Sequence, residues 1–167
     1  MEVLIDDERP GDVPVIREVT RIAFEGQPYA SGREAGIVDG LRDAGALAFS
    51  LVARSSGRVL GHLAVSPVEA SSGEDGWYGI GPVSVLPACQ RQGIGSKLMH
   101  EAIGRLRERG ARGCVLVGHP GYYQRFGFRA DGRAVVEGVP SEVTFCLAFR
   151  GCADPGRVRF HPSFGAP

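Results

Sequence analysis

The stretch Val83-Ser84-Val85-Leu86-Pro87-Ala88-Cys89-Gln90-Arg91-Gln92-Gly93-Ile94-Gly95-Ser96 constrains this chain most, because it reads as a strand running through glycines straight into a helix. The helix is predicted over Ser96 to Arg109, where Ile94, Leu98, Ala102 and Leu106 share one face and Gly110 marks the stop. A short apolar run, Cys114 to Val117, follows as a buried strand. Strand, helix and strand within about 40 residues form a crossover unit, which sets two parallel strands in one sheet.

The turn itself favours an anion. Gly93 and Gly95 lack the Cβ atoms that would hold a diphosphate off the backbone, and the first amides of the next helix have no partner inside it. The helix dipole adds about half a positive charge there. Spacing separates this turn from two other phosphate loops. A dinucleotide fingerprint needs a small residue where Leu98 stands, and a nucleoside-triphosphate loop needs Gly-Lys-Ser/Thr where the order is Gly95-Ser96-Lys97. On these residues alone, a tight turn packed for its own sake is the equal alternative.

Elsewhere the hydrophobic period alternates between helix and strand. Asp12 as N-cap, Pro14 in the first turn and Val15, Ile16, Val19, Ile22 and Ala23 predict a helix to about Phe24. A second is predicted over Arg33 to Ala44, with Ile37, Val38 and Leu41 as its stripe. Leu47 to Ala53 and Val59 to Val68 read as strands joined by a turn at Arg54 to Arg58, and Trp77 to Val85 completes an antiparallel meander. A short helix from Gly121 to Phe126 and weaker strands at Ala134 to Glu137 and Val143 to Phe149 come last. The expectation is one α/β (α+β) domain over residues 1–150 with a mixed sheet, and an irregular Pro- and Gly-rich tail, 151–167, packed on it.

A chain of 167 residues buries roughly 70% of its unfolded surface, enough for one core. No apolar run approaches the roughly 20 residues needed to cross a bilayer, and the acidic start Met1-Glu2-Val3-Leu4-Ile5-Asp6-Asp7-Glu8 is unlike a signal peptide, so a cytoplasmic protein without membrane contact is expected. Cys89, Cys114, Cys146 and Cys152 lack metal-site or redox spacing and read as reduced thiols, with no metal site expected. Net charge is zero, but nine basic residues face three acidic ones between Gln90 and Arg133. Solvated helix faces explain such polarity; a phosphate ligand on this half and a cationic acceptor on the other is the functional reading. Without an overall basic excess or interleaved aromatics, nucleic acid is disfavoured.

The turn Gln90-Arg91-Gln92-Gly93-Ile94-Gly95 resembles the coenzyme A loop, Gln/Arg-x-x-Gly-x-Gly/Ala, of the GNAT family of N-acetyltransferases. Downstream, Tyr123-Gln124-Arg125-Phe126-Gly127-Phe128 is similar to that family's Tyr-x-Lys/Arg-x-Gly-Phe segment, and the pattern from Trp77 to Phe128, with Gly118-His119-Pro120-Gly121-Tyr122-Tyr123, resembles a bacterial branch of it. The resemblance implies a splayed mixed sheet of about six to seven strands flanked by about four helices. It implies an acyl-pantetheine arm between the Val83 to Val85 strand and the Cys114 to Val117 strand, held by backbone groups of Val83 and Val85 beside Ser84. Amides from Arg91, Gln92, Gly93, Ile94, Gly95 and Ser96 would hold the diphosphate, with Gln90 also among the cofactor-binding residues.

The same resemblance implies acetyl-coenzyme A as co-substrate, Val85 as amide donor to the oxyanion, Tyr123 as acid to the leaving thiolate, and Tyr122 as wall or substitute. It implies a small-molecule or peptide amine as acceptor, read by the loop Glu25 to Gly32 and the C-terminal strands, and leaves a homodimer open. Gly79 to Val85 carries no Glu or Asp, so the general base is unassigned among Glu69, His62 and His119, and direct attack by an amine already deprotonated in a desolvated site would need none of them. A non-catalytic acyl-coenzyme A sensor, or a transferase for a longer acyl chain admitted by Gly79, Gly81 and Ser84, are the alternatives.

Overall fold

The computed structural model describes residues 2–165. The chain opens with β1 (Leu4–Asp7), α1 (Val13–Phe24) and α2 (Glu34–Asp43), then builds a hairpin of β2 (Phe49–Ser55) and β3 (Arg58–Pro67). Ser56 and Gly57 both have positive φ (50° and 77°), the twist that a two-residue hairpin turn requires. After the short β4 (Glu69–Ala70) come β5 (Trp77–Val85), α3 (Ile94–Glu108) and β6 (Gly113–Val117), the crossover read from the sequence. The strands β7 (Ala134–Val135), β8 (Thr144–Ala148) and β9 (Gly156–Arg159) finish the fold. Among the described residues there are three α-helices; the fourth helical segment expected, after Gly121, is a 3-10 turn at Tyr123–Phe126.

The main sheet has the order β1-β2-β3-β5-β6-β8, with β5 and β6 parallel and the other neighbours antiparallel. Its two faces bury different layers. Leu51, Leu63, Ile80, Leu116 and Phe145 pack with Leu98, Met99 and Leu106 of α3. On the opposite face Val52 and Val59 pack with Ile16 and Val19 of α1 and Val38 of α2. A helix apolar on one stripe, laid on a sheet whose residues alternate, gives this three-layer arrangement.

One element is added and two expectations are corrected. The N-terminal segment carries an edge strand, β1, hidden in the sequence by its two aspartates. Asp12 stands at the start of α1 without capping it: its carboxylate accepts from Arg9 N at 2.8 Å and from Arg54 Nη2 at 2.8 Å. A largely buried guanidinium needs a counter-charge more than the helix needs a cap, and the Arg54 hydrogen bond holds the Asp12 carboxyl below its ordinary range. Finally, the tail is not wholly irregular, since Gly156–Arg159 forms the middle of a small sheet, β4-β9-β7, and Pro162–Phe164 forms a 3-10 turn against α2. Its partners are two-residue strands from far along the chain, a pattern with no local signal.

The shape of β5 positions everything that follows. It pairs with β6 only at Trp77↔Gly113, Tyr78↔Cys114 and Gly79↔Val115, yet stays paired with β3 as far as Val85↔Gly61. Opposite Ala64, the register with β3 shifts between Ile80 and Val83, so Gly81 and Pro82 bulge. A bulge bends its strand and increases the local twist, which turns the second half of β5 away from β6. Gly81, at φ 140°, and Pro82, which has no N–H to donate, suit that bulge. The closed end of the resulting gap is pinned where Gly113 meets Trp77: an added Cβ would strike the Trp77 ring and the Leu147 carbonyl. We therefore expect Gly113→Ala to lower stability by about 1–3 kcal/mol, read as a shift of the urea midpoint at unchanged slope.

Candidate active site

Six consecutive amides, from Arg91 to Ser96, have no hydrogen-bond partner among the described residues, and α3 has no side-chain cap. The first internal bond of the helix is Lys97 N to the Gly93 carbonyl, at 3.0 Å. Arg91 (φ 63°) and Gly93 (φ 82°) are left-handed, the kind of backbone reversal that turns successive amides into an anion-binding concavity. Residues 91 to 93 are exposed, so the concavity is open to solvent.

The predicted residues divide by what their side chains do. Ile94 is buried in the core and anchors α3, leaving only its amide for the turn. Gln90 and Gln92 fold back on the loop, donating to the carbonyls of Val85 (3.1 Å) and Ala88 (3.5 Å). The Val85 carbonyl, one of the groups expected to hold an arm, is thus engaged by Gln90. Gly95 lies under Tyr122: an added Cβ would stand 3.0 Å from the Tyr122 hydroxyl. Of the nine basic residues in this half, Arg105, Arg112 and Arg133 are in ion pairs, while Arg107, Arg109 and Arg125 lie over aromatic rings. Arg91, Lys97 and Arg129 have no side-chain partner among the described residues, and of these Arg91 and Lys97 flank the turn, so the charge that serves an anion there is local.

The gap between β5 and β6 leads inward from this turn. Leu86 N donates to the Leu60 carbonyl at 2.9 Å, which sets the phase of the β3–β5 ladder. Alternate residues of an antiparallel pair bond their neighbour, so Ser84 faces β3 with its N–H and C=O while Val83 and Val85 turn theirs toward the gap. Tyr123 packs beside Phe128, Phe145 and Tyr122, against Gly118. Burial pushes its phenol up to about 12, so it stays protonated at neutral pH. Cys114 is fully buried and its thiol is pushed upward by that burial, which makes it core and not a nucleophile. Among the described residues, no three His, Cys, Asp or Glu side chains form a metal-binding group.

The three side chains considered as bases fall in different places. Glu69 is exposed on β4 near Arg159, and the His119 ring contacts the Pro120 carbonyl at the surface. His62 is fully buried, on the sheet face toward α1 and α2, and Ser50 Oγ lies 2.7 Å from its Nε2. Ser50 Oγ is also 2.5 Å from Glu8 Oε1, and Glu8 is held by Arg42 through two bonds of 2.8 Å. Burial, partly offset by Glu8, lowers the His62 pKa to about 4. His62 Nδ1, Ser84 Oγ and Ser66 Oγ are buried with no partner in the protein, and each such group, left dry, costs about 1–3 kcal/mol. No sequence motif announces this polar chain, because its members come from separate strands.

A separate cleft lies between α1, α2 and their connection, lined by Thr20, Phe24, Gln27, Ala30 and Glu34 among others. It holds neither the glycine turn nor the β5–β6 gap. It coincides with the loop Glu25 to Gly32.

A sequence profile described as the Acetyltransferase (GNAT) family matches residues 16–128, which span the gap, the glycine turn and Tyr123. The chain belongs to the GNAT acetyltransferase family. It is 37% identical over 127 residues to the uncharacterised N-acetyltransferase YhbS of Escherichia coli K12, covering 75% of this chain and 73% of that one. A GNAT acetyltransferase from Brucella melitensis, solved in complex with acetyl-coenzyme A, superposes with a TM-score of 0.86 at 49% identity over 98% of both chains. Escherichia coli YhbS, solved in complex with coenzyme A, gives 0.87 at 32% identity over 99% of this chain and 93% of that one. The GNAT fold accounts for the mixed, splayed sheet. No helix among the described residues is long and apolar enough to cross a membrane.

The Glu8 carboxylate carries a pH consequence. Burial opposes its charge, but the hydrogen bonds from Arg42 and Ser50 prevail and lower its pKa. A depressed carboxyl stabilises the fold above its unfolded value, and that contribution is lost as pH falls through the folded value. Stability should therefore decline on acidification below the ordinary glutamate range, and Glu8→Gln should flatten that decline in urea unfolding followed against pH.

Proposed function

We propose that this chain transfers the acetyl group of acetyl-coenzyme A to a primary amine by direct attack within a ternary complex. The observation that carries this reading is the run of six open amides at the start of α3, set at the mouth of a gap whose β5 edge presents Val83 and Val85. A diphosphate fits the turn because no Cβ projects at Gly93 or Gly95 and the dipole favours its charge. The pantetheine arm then runs along β5 as an added strand would, bonding Val83 and the Val85 N–H; full bonding at the Val85 carbonyl requires Gln90 to release it. The relatives solved with acetyl-coenzyme A and coenzyme A support the same ligand here.

The chemistry follows from what these residues supply. Val85 N–H, turned into the gap, is placed to donate to the oxygen that gains charge when the amine adds to the thioester carbonyl; loss of one such donor costs roughly 3–4 kcal/mol in other enzymes. Tyr123 keeps its proton and hydrogen-bonds the sulfur as it departs. A thiol titrates near 8.5, well below the Tyr123 phenol, so stabilisation of the thiolate by that bond precedes any full proton transfer. The cleft between α1 and α2 is the acceptor's proposed approach; on its lining Glu34 is held by Ser31 and Gly32 and Glu25 pairs with Arg21, so either carboxylate takes an amine only by exchanging that partner.

Thiol release from acetyl-coenzyme A against a panel of small amines and peptides tests this directly. Amine-dependent release is expected; slow release indifferent to amine would instead indicate a sensor. Gly95→Val should abolish coenzyme A binding, because its side chain would fill the turn under Tyr122, while the circular dichroism spectrum stays that of the parent. Gly93 is the poorer test, since its left-handed φ makes any side chain strained. For Tyr123→Phe we expect turnover to fall by about 10- to 100-fold with the acetyl-coenzyme A KM changed far less.

A further inference from the structure

We propose that the buried chain Glu8–Ser50–His62, reached through Ser84, is the acceptor for the proton that the amine loses during acetyl transfer. This rests on the transferase reading above. Amide formation from an amine must release one proton, and β5 offers no carboxylate to take it.

Hydrogen bonding fixes which nitrogen of His62 is basic. A carboxylate only accepts, so the single proton of Ser50 Oγ points to Glu8 Oε1. Ser50 Oγ must then accept from His62, whose Nε2 therefore carries the hydrogen. Nδ1 is left with its lone pair free, fully buried and without a partner in the protein. His62 is paired across the strands with Ser84, whose Oγ is likewise buried and unpartnered. Side chains paired in this way stand about 4.5–5.5 Å apart at Cβ, within reach of one hydroxyl or water. Ser84 lies between Val83 and Val85, the two residues that face the gap, and its side chain is on the α1 and α2 side, from which an acceptor approaches. The charged groups facing His62 are Glu8, after β1, and Arg42 of α2; its strand neighbours Val52 and Ser84 are uncharged.

The step balances. The amine nitrogen forms the C–N bond, the C–S bond breaks, and the sulfur leaves as a thiolate held by Tyr123. Ser84 Oγ takes the nitrogen's surplus proton as its own passes, through one bridging water, to His62 Nδ1, the two groups having no direct hydrogen bond. The imidazolium is stabilised by Glu8 through Ser50, keeps its Nε2 hydrogen, and returns the Nδ1 proton through Ser84 to solvent once the products leave. Burial keeps the imidazole unprotonated at neutral pH, with its lone pair free, and Glu8 works the other way by favouring the charged form during the step.

The test uses the full chain with the amine acceptor found in the panel. For His62→Gln, kcat should fall by about 100-fold with the acetyl-coenzyme A KM within about twofold, and it should rise roughly tenfold per pH unit on the alkaline side, as hydroxide replaces the missing acceptor, while the parent levels off. Ser84→Ala, which breaks no hydrogen bond of the protein, should fold as the parent does and lose about tenfold or more in kcat. Should His62→Gln not fold, Ser84→Ala alone decides. Parental kcat in either folded variant, or an equal loss at every pH in His62→Gln, would overturn the proposal. A parent protein with no amine-dependent thiol release would overturn the transferase reading itself, a result separate from a working enzyme indifferent to His62.

Discussion

Parallel pairing between β5 and β6 lasts three residues and then stops. The bulge at Gly81 and Pro82 ends it, keeping β5 bonded to β3 while turning its other edge away from β6. Two consequences share that origin. Backbone groups of Val83 and Val85 face a gap instead of a strand, and the chain leaving β5 enters α3 at the gap's open end, with its first amides unspent. Closing the gap would remove the strand edge and bury the turn together, so neither feature exists without the other.

The two faces of the sheet treat polarity in opposite ways. Under α3 the layer is apolar from Leu51 to Phe145, which holds the glycine turn rigidly against the core through Ile94. Under α1 and α2 the layer admits Ser50, His62, Ser66 and Ser84, all buried. Polar groups are retained in such a place at a cost to stability, and Glu8, Arg42 and Ser50 offset part of it by hydrogen bonding. That polar layer lies beside the half of β5 that lines the gap, on the face where the proton path is proposed.

Much of this was legible in the sequence. The strand, glycine turn and helix around Gly93 and Gly95 are local signals, and the structure returns them with bounds shifted by a residue or two. Family resemblance carried what periodicity does not, above all the departure of β5 from β6; the Gly79-Ile80-Gly81-Pro82 run is a bulge signature that reads as an ordinary strand when only apolar alternation is followed. Non-local pairings stayed hidden: β1 lies under a charged sequence, and β9 finds partners 86 residues apart in contacts such as Arg157 N to Ser71 Oγ. Asp12 shows a local rule losing to a tertiary demand, with Arg54 claiming the carboxylate that the helix end would use. His62 was legible as one of three candidate bases but not as the member of a polar chain, because Ser50, Glu8 and Ser84 define it only after three strands are laid side by side.

On the proposed reading, open amides beside Gly93 and Gly95 grip the diphosphate of a coenzyme whose thioester end enters the sheet. Backbone amide NMR shifts during titration with acetyl-coenzyme A test it residue by residue. The largest changes are expected at Arg91 to Ser96, with further changes at Val83 and Val85 that inorganic pyrophosphate alone does not reproduce. Saturable binding that leaves the Arg91 to Ser96 amides unmoved would contradict it.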